Sequence, residues 1–581
     1  MKDFVKMVLA VICGMIVLSI ISVIFSLLFL GAMIAAGSSQ PAIPKSGVLK
    51  LDMTKIAVAE QSQASNPLNS LQGINTKTIG LWDVVQAINT AATDPSVKFI
   101  YLLPDGSSSS SAVTSELRKS LQNFRATCSK PVIAYIESPS TLSYYLASVA
   151  DKVYMTANPG ATTMVTGVSA QMIFFGDLMK KLGVDIQLIR HGKYKSAGEQ
   201  FTRGESSPEN REQYQRLVDS MWESISAEIA ESRDLTQEHI NGCIDSLKLN
   251  LPADFLELGF VDELVTKSVL EDKVATLSVV EKFKNVKMID FADYVSAKVL
   301  PSKVKEKIAI IYANGEIVDG TGKSEVAGDR FAQIVCDVRA DSTVKAVVLR
   351  VNSPGGSVLA SDKIKTELDL LKADKPVIAS YGDYAASGGY WISNGCDKIY
   401  SDAVTLTGSI GVFSMIPNLK DALKDVAHVG VETVTSNKHG NIYDMMHHFD
   451  QEEYDYLFHS VEDIYDRFTS IVSEGRGIAK DDVDAIGQGR VWTGADALGI
   501  KLVDEIGTLE DAIHYAALAA GNSDLSAWNV TEYPAPLSEL EQVLDMLGMS
   551  KSLESKAYIK KLQSLKAPKT MARLPYELEI R

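Results

Sequence analysis

Three stretches of this 581-residue chain carry residue types that could do chemistry. Ser409 lies in Thr405-Leu406-Thr407-Gly408-Ser409-Ile410-Gly411-Val412, a serine between glycines after a short apolar run. Flanking glycines allow a tight turn that presents a hydroxyl as a nucleophile. An ordinary turn serine has the same appearance, so the reading depends on a base. His428, His439, His447, His448, His459 and His514 follow Ser409 without a recognisable triad context, and a Ser-His-Asp site stays open. Lys195 lies in Arg190-His191-Gly192-Lys193-Tyr194-Lys195-Ser196-Ala197-Gly198-Glu199, just after the strand-like run Ile186 to Ile189. A lysine acts as a base only when neutral, which requires burial that lowers its pKa. Ser196 and Ala197 suit such packing, whereas Lys193 and Glu199 suit the alternative, a solvated surface lysine. The third stretch, Asn352-Ser353-Pro354-Gly355-Gly356-Ser357, follows an apolar strand and precedes a helical segment from near Val358. Gly355 and Gly356 let backbone N–H groups approach a developing oxyanion. A phosphate loop would need a following Gly-Lys-Ser/Thr, which is absent, and a plain tight turn is the other reading.

The elements that must position these residues occur twice. Asp94-Pro95-Ser96-Val97-Lys98 opens the apolar run Phe99 to Leu103, and Asp341-Ser342-Thr343-Val344-Lys345 opens Ala346 to Leu349, 247 positions later. A loop of small residues follows in each copy, Asp105-Gly106-Ser107 or Asn352 to Gly356, then a helical pattern that ends at Lys130-Pro131 or Lys375-Pro376. Tyr144-Tyr145-Leu146-Ala147 with Asp151-Lys152-Val153-Tyr154 answers Tyr390-Trp391-Ile392-Ser393 with Asp397-Lys398-Ile399-Tyr400. Strand-like runs at Val48–Leu51, Phe99–Leu103 and Val132–Tyr135 alternate with helical patterns such as Thr114 to Arg125, and Ile308–Tyr312, Ala346–Val351 and Val377–Ser380 repeat the series. This alternation predicts α/β domains with crossover connections. Each copy carries a long amphipathic stretch, Pro208 to Arg233 and Gln451 to Arg476, read as a packed helix. Glu271 to Lys305 is charge-rich and is expected to be an irregular boundary.

Residues Met7 to Ala36 are almost wholly apolar and no charge falls between Lys6 and Lys45, enough for the roughly 20 residues that cross a bilayer. The length favours a retained anchor over a cleaved leader, although Ala35-Ala36-Gly37 would permit cleavage. Lys2 and Lys6 outweigh Asp3, so the chain beyond about residue 40 is expected outside the cytoplasm. The expected plan is an anchor over 1–40, a first repeat over 45–300, a second over 305–522 and a separate tail over 523–581. A net charge of −16 argues against a nucleic-acid partner. Five scattered cysteines without Cys-x-x-Cys spacing signal neither a zinc site nor a disulfide framework.

Ser-Pro-Gly-Gly at 353–356, Ala-Ser-Gly-Gly-Tyr at 386–390, Thr-Gly-Ser-Ile-Gly at 407–411 and Tyr-Lys-Ser-Ala at 194–197 together resemble the signal peptide peptidase A (protease IV) family in its long duplicated form, over roughly residues 45 to 520. The resemblance implies two tandem Clp protease/crotonase-like α/β domains behind one transmembrane helix, with Ser409 as nucleophile and Lys195 as general base. It also implies a homotetramer on the periplasmic side of the bacterial inner membrane that digests cleaved signal peptides. The chain departs from the family's familiar pattern at Gly198-Glu199-Gln200.

The repeat adds an independent argument. The step from Asp397 to Ser409, applied from Asp151, lands on Thr163; the step of 247 from Lys195 lands on Ile442. Each copy therefore lacks what the other has, as expected for one site assembled across both. In the expected reaction Lys195 deprotonates Ser409, Gly355 or Gly356 holds the oxyanion, and no metal or organic cofactor is required. Val404, Leu406 and Ile410 are expected to wall an apolar cleft. Two alternatives stand beside this: an acyl-CoA-processing crotonase-fold enzyme, disfavoured by the anchor, and a catalytically inactive membrane scaffold.

Overall fold

The computed structural model describes residues 14, 15, 17, 18, 21, 41–62, 76–323, 325–536 and 570–573. The anchor expected over 1–40 lies almost wholly outside the described residues. Among the described residues no helix is long and apolar enough to cross a membrane.

Each repeat is built on a mainly parallel sheet of one plan, the second departing from it at the edge, where Val491–Thr493 runs antiparallel to Leu406–Gly408. In the first, strands run in the order Glu263–Val265, Lys152–Thr156, Val132–Ile136, Val97–Leu103, Gly47–Asp52, Met288–Asp290. In the second, the order is Val491–Thr493, Leu406–Gly408, Val377–Ala386, Val344–Ser353, Lys307–Asn314, Asn529–Tyr533, with Lys398–Ser401 and Glu505–Ile506 paired beside Val377–Ala386. Parallel neighbours require crossovers, and the helices Ser111–Thr127 and Val358–Asp374 supply them at equivalent places. The central strands are near-continuous apolar runs because helices cover both faces, as at Ile308 to Ala313, which is buried throughout. The long amphipathic stretches are helices Pro208–Arg233 and Gln451–Arg476, each 26 residues and each capped by a side chain, Ser207 or Asp450.

The copies also share their hydrogen bonds. Lys130 Nζ donates to the carbonyls of Ala91 and Asp94, and Lys375 Nζ to those of Val338 and Asp341. Tyr144 Oη donates to the Phe260 carbonyl at 2.7 Å, and Tyr390 Oη to that of Leu502 at 2.8 Å. Asp151 accepts from the N–H of Val132, and Asp397 from that of Val377, both at 2.8 Å. The landmarks recognisable in the sequence are the residues that make these bonds.

Two boundaries differ from expectation. The stretch 271–305 is not irregular: it contains most of helix Lys267–Leu277, strand Met288–Asp290 and helix Phe291–Lys298. Its charges mark the solvent faces of short elements that close the first sheet. Residues just beyond 523 are not a separate tail, because Asn529–Tyr533 pairs with Lys307–Ile311 as the edge of the second sheet, just as Met288–Asp290 edges the first.

The repeats interlock. One hydrophobic core runs from Leu49, Ile88 and Leu117 of the first to Ile310, Val348 and Ile513 of the second. At its polar centre Arg350 is buried, clasped in two bonds by the Glu60 carboxylate at 2.6 and 3.0 Å and by Glu116 at 2.6 Å. A buried charge left without its partner is strongly destabilising, so this trio fixes how the repeats meet. Burial, opposed by Arg350, pushes the Glu116 carboxyl up to about 7.

Candidate active site

A third, smaller sheet brings the candidate residues together. Strand Asp185–His191 of the first repeat pairs antiparallel with strand Val412–Asn418 of the second, in register from Asp185 opposite Asn418 to His191 opposite Val412. Lys195 follows the first strand by four residues and Ser409 precedes the second by three, so the pairing delivers both to the same end of the ribbon. Both are fully buried.

Lys195 Nζ lies 3.0 Å from Ser409 Oγ. It is also 2.8 Å from Ser387 Oγ and 3.2 Å from the Ser409 carbonyl oxygen. Burial alone drives the lysine pKa down to about 7, because no carboxylate among the described residues stands near enough to favour the ammonium form. The Phe413 ring forms part of the wall, 5.9 Å from Nζ.

Backbone geometry holds the pair. Ser409 has φ of 52° and Ser387 of 55°, both left-handed, a conformation that costs a non-glycine residue energy and persists only where surroundings impose it. Ser387 N–H donates to the Gly408 carbonyl at 2.8 Å, and Ser409 N–H to that of Arg490 at 2.7 Å. The segment Gly487-Gln488-Gly489-Arg490 grips both sides: Tyr194 N–H donates to Gln488 O at 2.9 Å, and Gly489 N–H to Ile410 O at 2.7 Å. Any side chain at Gly489 would meet Lys195 Cβ at 2.5 Å. Behind the lysine, Glu199 is buried and accepts from Arg190, Ser207 N–H and Asn210. Glu199, which the sequence set against a buried lysine, thus anchors the lysine's loop.

Gly355–Ser357 forms a short strand rather than a free loop, with Gly356 opposite Ile317. The φ of Gly355 is 98° and that of Gly356 is 154°. A Cβ at Gly356 would fall 1.9 Å from the Ile317 carbonyl oxygen, so glycine is obligatory there for space. Gly355 N–H donates to Ser353 Oγ at 3.2 Å. Gly388 and Gly389 pack underneath, where a Cβ would meet Gly356 N at 3.1 Å and Ser353 O at 2.7 Å. The Ala-Ser-Gly-Gly-Tyr stretch therefore lets helix Gly388–Ser393 abut the glycine strand while Ser387 reaches Lys195.

Two stretches of the chain, 125–281 and 369–523, match Peptidase family S49. "Protease 4" of Haemophilus influenzae is 34% identical over 502 residues, 83% of this chain and 80% of that protein. The chain belongs to peptidase family S49. "Protease 4" of Salmonella typhi is 34% identical, over 80% of this chain and 76% of its own. The "Putative signal peptide peptidase SppA" of Enterococcus faecium is 37% identical over 36% of this chain and 62% of its own. As an S49 peptidase of the SppA type, the chain is a serine peptidase.

Within this S49 chain the structure separates the expected residues. Lys195, Ser409, Gly355 and Gly356 gather on the small sheet and its turns. Val404, Leu406 and Ile410 do not wall a cleft: they are 5%, 3% and 1% exposed and pack into the cores. Alternation along a short strand does not reveal that both its faces are covered. No histidine hydrogen-bonds to Ser409 or Lys195 among the described residues. Thr163 instead donates to the Leu249 carbonyl at 2.9 Å. His439, Asp450 and Glu453 form a group of metal-ligating type, but Glu453 is already bonded to His439 at 2.9 Å and His447 at 2.6 Å. Sequence reasoning gave Ser387 and the Gly487–Arg490 segment no role. Glycine pairs signal both, yet their partners lie far away in sequence.

Proposed function

We propose that this chain is a membrane-tethered endopeptidase in which Lys195 is the general base for the nucleophile Ser409, acting on apolar peptides such as cleaved signal peptides outside the cytoplasm. The observation that carries the reading is the 3.0 Å separation of Lys195 Nζ and Ser409 Oγ in a site closed to water. A neutral amine has two N–H donors and one lone pair. With the donors directed to Ser387 Oγ and the Ser409 carbonyl, the lone pair faces the Ser409 hydroxyl. As Oγ attacks a peptide carbonyl carbon, its proton passes to Nζ, and the N–H of Gly355 or Gly356 takes the oxyanion. The resulting ammonium protonates the departing amine, breaking the C–N bond and leaving an acyl ester on Ser409. The neutral lysine then takes a proton from water, whose oxygen attacks the ester, and returns that proton to Oγ.

The parallel α/β repeats suit the Clp protease/crotonase-like fold that the sequence motifs imply, and the apolar run Met7 to Ala36 supports the tether. The duplication supports a closed ring of copies, and a homotetramer is the size we propose. Strand Asp185–His191 of one repeat pairs with Val412–Asn418 of the other, whereas the positions equivalent by the repeat, about 166–172 and 431–437, are irregular and partly exposed. Val431 and Val434 are 44% and 92% exposed there, so the same pairing is open between copies and would propagate head to tail until a ring closes.

The test is hydrolysis of an apolar peptide by the full chain. Ser409→Ala and Lys195→Ala should each lower kcat/KM by about 10³-fold or more, with the double variant no worse than either and circular dichroism unchanged. Substantial activity in either single variant contradicts the assignment.

A further inference from the structure

The strand Thr570–Arg573, from the end of the chain, lies at the centre of the small sheet. It runs antiparallel to Gly355–Ser357 on one side, with Met571 opposite Ser357, Ala572 opposite Gly356 and Arg573 opposite Gly355. On the other side it runs antiparallel to Val412–Asn418, with Thr570 opposite Ser414 and Met571 opposite Phe413. It is therefore the link between the half of the sheet that carries the glycines and the half that leads to Ser409 and Lys195. Without it the halves would flank a slot one strand wide, about 10 Å between the bordering strands, with open backbone groups on both walls. An extended peptide is the ligand that satisfies two such walls, by adding itself as a strand.

The direction of the tail is that of a peptide presented for cutting. Antiparallel pairing means that from Thr570 to Arg573 the chain moves from Ser357 to Gly355, and on the other wall from Ser414 back towards Ser409. The backbone thus passes the glycines while approaching the nucleophile. It also lies against helices Val358–Asp374 and Gly388–Ser393, and the ion pair of Arg573 is weak: its guanidinium is 3.4 Å from the Glu316 carboxylate, with the two side chains 45% and 29% exposed. Such a pair is worth at most about 1 kcal/mol, and the strand pairing on both sides is of a kind that another extended peptide can replace.

We propose that residues 570–573 are a built-in competitor that fills the peptide slot of this enzyme and must leave before a substrate enters. The inference rests on the peptidase reading of the site. Tethering makes weak pairing sufficient, because a covalently attached segment sees the slot at an effective concentration of about millimolar.

The experiment compares the full chain with one ending at residue 569, both carrying Ser409→Ala so that nothing is cut. A fluorescein-labelled peptide with the sequence of residues 566–577 is titrated against each and followed by anisotropy. The shortened chain should bind it at least about tenfold more tightly, and Ala572→Pro in the full chain, which spoils the strand without removing it, should bind like the shortened chain. Equal affinity for the full and shortened chains overturns the proposal. Blockage of the full chain that disappears on dilution also overturns it, since the competitor would then come from another copy. Hydrolysis is read separately with Ser409 intact: inactivity of both lengths would contradict the peptidase reading, while the binding titration still decides the tail.

Discussion

In the first repeat Asp105 Oδ2 accepts the N–H groups of Glu137 and Ser138 at 2.6 and 2.9 Å; in the second, Asn352 Oδ1 accepts the N–H of Tyr384 at 3.1 Å, 247 positions on. The same side-chain position ties the same loop to the next strand in both copies. Only after that tie do they part. The first continues as Gly106-Ser107, where among the described residues a Cβ at Gly106 would meet only the Thr54 side chain, at 3.2 Å. The second continues as Ser353-Pro354-Gly355-Gly356, pressed against Ile317 on one side and Gly388 on the other. The copies thus agree in the bonds that build an α/β unit and diverge in the residues surrounding Lys195 and Ser409. The first repeat sends its lysine strand across to the second, whose turns supply Ser409, Ser387 and the glycines.

The sharpest way to test that contrast is to add the same methyl group to both loops. Gly356→Ala must displace the Ile317 backbone and should lower kcat/KM by about 10²- to 10³-fold, the scale of a lost oxyanion donor. Gly106→Ala, at φ of 74°, should cost about 1 kcal/mol of stability and leave kcat/KM unchanged. Equal losses of activity in parallel assays would mean that the two loops are not functionally distinct.

A second test uses the cost of the buried lysine. Its folded pKa of about 7 lies below the ordinary 10.5, so between those values the unfolded chain holds a proton that the folded chain does not. Stability of the parent therefore rises with pH across that window and is flat below it. Lys195→Met removes the slope: thermal melts should show an advantage over the parent, on the order of a few kcal/mol, at pH 7 that shrinks toward pH 10. A pH-independent difference would mean that the lysine is not buried. Smaller still is Ser387→Ala, which should lower kcat about tenfold, the worth of one hydrogen bond, with KM unchanged. The ammonium also loses an acceptor, so the midpoint of the kcat profile should move to lower pH. An unmoved midpoint would make Ser387 merely structural.

Much of this is legible in the sequence. The Asp-x-x-Val-Lys and Lys-Pro-Val-Ile-Ala landmarks recur because they sit in turns whose bonds are local or span one strand, such as Asp397 to Val377 N–H. Motif and complementary loss single out Lys195 and Ser409 in the sequence, and the structure brings the two side chains to 3.0 Å. Ser387, Gly489 and Arg490 were not assigned, because each acts on a partner brought near only by the pairing of Asp185–His191 with Val412–Asn418. The edge strand Asn529–Tyr533 and the inserted strand Thr570–Arg573 escaped for the same reason: strand addition is a property of the sheet that receives it. The fate of Val404, Leu406 and Ile410 shows the converse, since apolar residues close to Ser409 in sequence can belong to the core beneath it.

The account's central claim is that the first repeat activates the second repeat's serine through one neutral lysine. The direct measurement is the rate at which a fluorophosphonate probe labels Ser409 as a function of pH, in the parent chain and in Lys195→Ala. The account predicts labelling in the parent that rises with pH through a midpoint of about 7, where the lysine loses its proton, and little labelling in the variant at any pH up to 9. Equal labelling rates in the two chains, or a parent rate that does not vary with pH, would contradict it.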